Sequence, residues 1–540
     1  MEYLVVLEVS QKQNYIFKTN RLAENIGASI IIRDITEELG KKYLQADNQE
    51  KYGTQGGEYW FAGGGKSIYT FPTENAAKNF VRCISTEVIR NYPGTELFMA
   101  HIGYGKSEEK KPIMSIVEAV DELYGKLEQK KAERQSAFCL LGLGITEKCV
   151  STQLPAVKND PLRGLLSAES AKKYEIAEKR QNEFFKWLLP NPDAYVFASE
   201  FEELGGTKDE KDYLAVVVLD GNKLGKKIES FKNDFKNGFD KKYREDHGEV
   251  LEDEEYWRQF NSEYKSSFRE FSSNIDKTWK GAMKRMTARL CDKMDDLIRK
   301  EVVCSNTRKV GDIEKTVLPM RPLILAGDDI CFVCDSRIAV SLTEILLKEV
   351  EAVDESNERP GLRGLHAAAG IAIVKNHYPF FRAHELAEAL CHNAKSVLPS
   401  GDEGDESVID FIPIEGEIAG SLEEIRREKY RISEKSGCRL SMTNKPYYLH
   451  RDGPIEKDRR NSLPFFKERM KQFRDDDDIG RGFIKEYCDA LFAGKAAADR
   501  YLVHKRKEKM IESSFENGVC RDFDVIEMLD MYYDLMEDEE

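Results

Sequence analysis

Apolar and polar positions follow two rhythms along this chain, and the places where one gives way to the other mark the predicted elements. Residues 213–219 and 323–334 are near-continuous runs of Val, Ile, Leu, Ala and Phe, the pattern of strands buried on both faces. The first run ends in Asp220 and Gly221; the second is interrupted at Gly327, Asp328 and Asp329. Glycine at that point can take the left-handed conformation that a two-residue hairpin turn requires, so 323–334 is predicted as a β-hairpin. Leu386, Leu390, Ala394 and Val397 recur at helical spacing, which predicts a helix over 381–398 with this stripe facing the core and Lys395 beside it. A polar loop at 400–406 and a strand at 408–412 follow.

Similar alternations organise the rest of the chain. Residues 1–150 read as a strand, a helix or loop through Arg33, a glycine-rich hairpin around 63–65, a helix over 74–90 and a strand over 96–104, an order that fits a βαββαβ unit. Residues 151–211 are predicted as a helical linker, with a helix at 177–189 ended by Pro190 and Pro192. Residues 212–418 form a second unit, interrupted at about 226–321 by a long polar insertion predicted as a pair of long helices. Residues 419–540 are helical by composition, with a loop at the RDDDDIGRG run from Arg474 and an acidic, disordered end. The class is therefore α+β, and 540 residues suffice for three or four folded units.

Composition narrows the function classes. A net charge of −15 argues against a surface that binds nucleic acid everywhere. Two local basic patches remain candidates for a phosphate backbone: 504–509 (HKRKEK) and the aromatic-laced run 231–244 (FKNDFKNGFDKKYR). No apolar run approaches the roughly 20 residues that span a bilayer, and the amino terminus lacks a basic leader, so a cytoplasmic location and no membrane partner are expected. The eleven cysteines are scattered, as in a reducing compartment. Cys331 and Cys334 stand three apart on a strand and point to opposite faces, and Cys139 and Cys149 lack a second close pair, so no zinc site or metal cluster is expected. His366, His377, His384 and His392 read as structural or substrate-side groups, because His384 and His392 are eight apart and miss the spacing of a zinc helix.

The acids carry the candidate chemistry. Asp-Asp at a hairpin often only satisfies turn backbone groups, but here a third acid, Asp220, ends a distant apolar strand and is followed by glycines and lysines. Phosphoryl and nucleotidyl transfer need charge positioned and neutralised, and two divalent ions held by a few carboxylates can clamp the attacking and leaving oxygens. Gly221 and Gly225 let backbone N–H groups approach phosphates, while Lys223, Lys226 and Lys227 add positive charge.

These residues carry a resemblance. Residues 213–228 (YLAVVVLDGNKLGKKI), 323–333 (LILAGDDICFV) and 365–397 resemble the second palm domain of the CRISPR polymerase family, the large subunit of type III CRISPR effector complexes, which is related to GGDEF-type nucleotide cyclases. Residues 8–29 resemble that family's first palm, with Ser10, Gln13, Tyr15 and Ile16 matching its S-x-x-Q-x-[FY]-I loop. In the hairpin at 60–71, Gly65 and Lys66 stand where carboxylates would be. The resemblance covers most of residues 1–420 and is weak beyond. It implies two ferredoxin-like palm domains, 1–150 without chemistry and 212–418 with it, plus a helical C-terminal domain. It further implies Asp220, Asp328 and Asp329 as catalytic acids holding two Mg2+ or Mn2+ ions, with the Gly221 carbonyl as a further metal ligand. Gly221, Asn222, Lys223, Leu224, Gly225, Gly327 and Lys395 would bind the nucleotide. Asn222 departs from the family pattern, which has an acid there, and it cannot replace a metal carboxylate. The implied reaction converts ATP to a cyclic oligoadenylate or cyclic dinucleotide in antiviral defence. No His-Asp nuclease dyad is visible, so DNA cleavage is not expected. Two other readings stay open: a scaffold subunit that binds CRISPR RNA and other type III effector subunits with little synthesis, and a stand-alone cyclase or polymerase outside any RNA-guided complex; for cyclisation, either the first palm or a second chain in a homo-oligomer would supply the other pocket.

Overall fold

The computed structural model is a mixed helix and strand protein, described at residues 1–63, 65–105, 114–133, 144–205, 212–248, 250, 252–356, 365–399, 405–416, 420–433, 439–450, 461–476, 479–507 and 514–537. Two of its sheets are built by the same connection. In the first, Glu2–Ser10 lies between Lys66–Phe71 and Glu96–Tyr104, and Glu58–Gly63 pairs on the outside of Lys66–Phe71, all antiparallel. In the second, Tyr213–Gly221 lies between Asp329–Asp335 and Ala367–Lys375, with Met320–Ala326 outside Asp329–Asp335. In both, the opening strand is central, the hairpin flanks it on one side and the fourth strand on the other, the order of a βαββαβ unit. Val408–Pro413, running parallel, and the short Tyr447–Tyr448 then widen the second sheet.

The opening strand of the second sheet is buried from Leu214 to Leu219, which accounts for its unbroken apolar run. The helix Phe380–Ser396 covers the sheet with Leu386, Leu390 and Ala394, as the spacing predicts. Val397 departs from the stripe: it lies past the helix end and is 39% exposed. Cys331 and Cys334 are both buried, each on a strand with neighbours on either side.

The insertion is indeed two long helices, Leu224–His247 and Glu254–Arg299, followed by an unpredicted hairpin, Thr307–Val310 with Ile313–Leu318. Phe231, Phe235, Phe239 and Tyr243 recur every fourth residue and so form one face. That face packs against Tyr256, Phe260, Tyr264, Phe268 and Phe271 of the longer helix. The aromatics of run 231–244 are therefore a helix-to-helix core and not a platform for bases. Trp60 donates from its indole N–H to the Lys265 carbonyl at 2.9 Å, and Arg269 donates to the carbonyls of Tyr59 and Trp60. The longer helix thereby ties the first sheet's hairpin to the second unit.

The linker is less helical than its pattern suggests. Its helix is Ala168–Arg180, capped by Ser167, whose Oγ accepts from the Ser170 N–H. Beyond Arg180 the chain turns so that Phe184 and Phe185 are buried, Phe185 with positive φ and Phe184 beneath the Arg33 guanidinium. This tertiary packing stops the helix at Arg180, near the start of the stretch that the periodicity selects. The segment also carries the hairpin Ala156–Asp160 and Gly164–Ser167, and the strand Tyr195–Phe197. The carboxy-terminal part adds five helices among the described residues, but also a small sheet of short strands. Residues 508–510, 477–478, 538–540 and Cys139, which bear on the basic patch, the acidic loop, the acidic end and the zinc question, lie outside the described residues. No helix among the described residues is long and apolar enough to cross a membrane.

Candidate functional site

Strand register brings the three acids to one place. Ile330 lies opposite Leu219, so in an antiparallel pair Asp329 is level with Asp220. Ala326 pairs with Asp329, leaving Gly327 and Asp328 as the two turn residues. Gly327 has φ +67° and Asp328 is not left-handed, the pattern of a II′ hairpin turn with glycine first. Asp328 backs onto Gly221: a Cβ at position 221 would stand 2.7 Å from the Asp328 Cβ and 2.9 Å from its Oδ2. Only glycine at 221 permits this approach. Burial, followed by the nearby charges of Asp220 and Asp329, pushes the Asp328 carboxyl up to about 6.

Two lysines, one from each unit, reach these acids. Lys395, near the end of the helix Phe380–Ser396, places its ammonium 2.6 Å from Asp220 Oδ2 and donates to the Gly221 carbonyl at 3.0 Å. Lys12 comes from the other sheet. It opens the short helix Lys12–Phe17, directly after the left-handed Gln11, and its ammonium donates to Asp329 Oδ2 at 2.7 Å. Glu388, two turns before Lys395, is a further acid in this field. Burial and then the Asp329 charge raise it, and Lys12 opposes that rise.

The loop after Asp220 is held differently from the cradle expected of it. The Asn222 N–H donates to the His366 carbonyl at 2.8 Å, and its side-chain amide donates to the Glu406 carbonyl at 2.9 Å. Lys223 is left-handed, with φ 53°, and its ammonium lies 3.8 Å from Asp405 Oδ1. Both side chains thus engage residues 405–406. Gly225 has open space where a side chain would be. Leu224 begins the insertion's first helix and, with Ile228, Phe61, Tyr124 and Phe268, walls a largely apolar cavity of about 270 Å3 that Asp328 also borders. His384 is structural: it stacks on Phe17 of the first unit with ring centroids 3.7 Å apart, and burial holds it neutral, lowered to about 3. His366 is likewise engaged, with its ring 2.9 Å from Glu351.

The register accounts for Asp220, Asp328, Asp329 and Lys395 as one cluster, four residues that the sequence reading selects. That reading misses Lys12 and Glu388. Glu388 could have been found from its place seven residues before Lys395 on one helix face, whereas nothing local marks Lys12, which reaches the site only because the two sheets dock.

Among the described residues no three His, Cys, Asp or Glu side chains converge as a ready-made metal site. In this arrangement Lys395 and Lys12 occupy Asp220 and Asp329. The donors nevertheless suit magnesium or manganese. They are hard oxygens, Asp328 is pressed against the Asp220–Gly221 backbone with its charge unfavourable there, and such ions need only one or two carboxylates beside substrate phosphates and water.

No family model matches this chain, and no curated protein does. Among solved structures it is similar to a Csm1–Csm4 cassette in complex with pppApA, with 13% identity, 98% of this chain and 69% of that chain covered, and a TM-score of 0.47. It is also similar to Csm1 of T. onnurineus, with 12% identity, 99% and 69% covered, and a TM-score of 0.46. For a Csm1–Csm4 cassette in complex with AMPPNP the identity is 15% and the TM-score 0.38; the match covers 73% of this chain and about half, 53%, of the length of that one.

Proposed function

We propose that this chain is a metal-dependent nucleotidyltransferase of the CRISPR polymerase kind, which joins ATP into a cyclic oligoadenylate or cyclic dinucleotide as a subunit of a type III effector complex. In this reading residues 1–150 are a first palm without chemistry and 151–211 a linker; 212–418 are the catalytic palm and 419–540 the C-terminal domain. The observation that carries it is the register that sets Asp329 level with Asp220 while Asp328 packs on Gly221.

Asp220, Asp328 and Asp329 would hold one or two magnesium or manganese ions, with the Gly221 carbonyl as a further ligand. Such ions, when bound, neutralise polyphosphate charge and make a ribose hydroxyl easier to deprotonate. Lys395 adds positive charge beside Asp220, and Gly225 leaves the backbone open to phosphate oxygens. The apolar cavity beside Asp328, lined by Phe61, Tyr124 and Phe268 among others, is large enough for a nucleobase. With two nucleotides bound, a ribose hydroxyl oxygen bonds to the α-phosphorus of the other, the bond from that phosphorus to the bridging oxygen breaks, pyrophosphate leaves and the hydroxyl proton passes to water.

A second reading has its own support. Two of the three acids are already paired with lysines, and Asn222 is buried in the loop, which suits a scaffold that binds RNA and other effector subunits with little synthesis. The test is to incubate the purified protein with all four nucleoside triphosphates and manganese, with and without guide RNA and partner subunits, and to identify products by mass spectrometry. ATP-derived oligonucleotides that vanish in D328A/D329A support the enzyme. No product under either condition leaves the scaffold, and an undiminished yield from the double variant removes the assigned site.

A further inference from the structure

The Lys12–Asp329 contact spans 317 positions of sequence and joins the two sheets at the acid cluster. Its side chains are 20% and 26% exposed, so the pair is partly shielded from water. The lysine chain passes over Gly65: a Cβ there would lie 3.3 Å from Lys12 Cδ and 3.4 Å from its ammonium nitrogen. Thus the first hairpin, which lacks an acid at 65, leaves the path along which Lys12 reaches the second hairpin. A small cavity of about 70 Å3, bordered by Lys12, Gly65, Lys66 and Gly327, gives the ammonium room to move off Asp329.

We propose that Lys12 is a positioning residue that competes with the divalent ion for Asp329: its ammonium takes the cation's place on that carboxylate and must withdraw before Asp329 can ligate metal. The inference rests on the nucleotidyltransferase reading above. An ammonium seated on Oδ2 repels a divalent ion approaching the same carboxylate and takes up one of its lone pairs, so removing the first lowers the cost of binding the second. Docking of the two sheets is thereby tied to metal loading, because the lysine belongs to one sheet and the carboxylate to the other.

The experiment is a manganese titration of the full-length, nucleotide-free protein, read by the loss of free-ion electron paramagnetic resonance signal. Wild type is compared with D328A/D329A, K12M, K12Q and K66M. K12M and K12Q are expected to bind manganese roughly fivefold more tightly than wild type, the gain from removing a partly exposed competing ion pair. K66M removes a charge near the same cavity without touching Asp329 and should leave affinity within about twofold, which separates competition from a general field effect. Wild-type affinity in both Lys12 variants, or an equal gain in K66M, overturns the inference while leaving the acid site standing. Equal binding by wild type and D328A/D329A removes the site reading and Lys12's role with it.

Discussion

The hairpin ends of the two sheets differ in charge far more than in geometry. In the second, Asp220 on the opening strand is level with Asp329 at the start of the third; in the first, Glu8 is paired directly with Lys66, the residue that likewise starts the third strand. Lys395 is the next-to-last residue of Phe380–Ser396 and reaches Asp220 at 2.6 Å; Lys131 is the next-to-last residue of Ile116–Ala132 and reaches Glu8 at 2.6 Å. Strand carboxylate and helix lysine thus recur in both places. What changes is the hairpin, Gly327-Asp328-Asp329 in one sheet and Gly65-Lys66 in the other. Lys66 adds a second cation to Glu8, at 3.4 Å, so one acid faces two ammonium groups and no charge is left for a divalent ion. The second sheet gathers three acids, and even with Lys395 and Lys12 present Asp328 is held at a cost. A shared frame therefore supports one centre that attracts cations and one that is already neutralised.

The sharpest way to break that contrast is to remove acids on each side. D328A/D329A is expected to lower pyrophosphate release on the order of a thousandfold, since several kcal/mol of transition-state charge stabilisation goes with the ions. E8Q should change it less than about twofold. Comparable losses in the two variants would show that both centres do chemistry.

Close approach is tested next by G221A. Its methyl group would meet the Asp328 Cβ at 2.7 Å and displace the turn, so turnover should fall about a hundredfold with the fold retained by circular dichroism. Full activity would mean that Asp328 need not sit against the opening strand.

The matched lysines should then separate by role. K395M is expected to raise KM for ATP about tenfold, the scale of a lost charge-assisted hydrogen bond, whereas K131M should leave kinetics unchanged and lower stability by less than about 1 kcal/mol. Steady-state kinetics and thermal melts of both variants decide this, and an equal KM effect would merge the two centres.

The smallest effect concerns the seam between the units. His384, stacked on Phe17, titrates near 3 in the folded protein against about 6.5 when unfolded, so the unfolded chain binds the extra proton first. Its contribution is complete above pH 6.5 and is lost as pH falls, by about 1.4 kcal/mol per pH unit down to the folded value. H384L should therefore lose less Tm than wild type between pH 7 and pH 5. Parallel losses would show that His384 is not buried neutral.

Much of this arrangement was legible in the linear chain. Asp220, Asp328, Asp329 and Gly327 announce themselves because each interrupts an apolar run, and Lys395 because it flanks a helical stripe. The two long insertion helices are legible in the same way, although their aromatic face alone also suits nucleic acid, and only the second helix packed over it decides its role. Local pattern also misplaced the linker helix, since burial of Phe184 and Phe185 overrides the periodicity that continues past Arg180.

By itself, then, the order of residues determined which side chains end which strands, because burial of a run and the turn after it depend on neighbours a few positions away. Only the tertiary structure decided which of those ends face one another. The pairing of Lys12 with Asp329, the burial of Asn222 under Glu406, and the diversion of Lys223 toward Asp405 join positions from 182 to 317 residues apart. Such contacts follow from how sheets and loops dock, a property of the whole packed chain that no window of sequence contains.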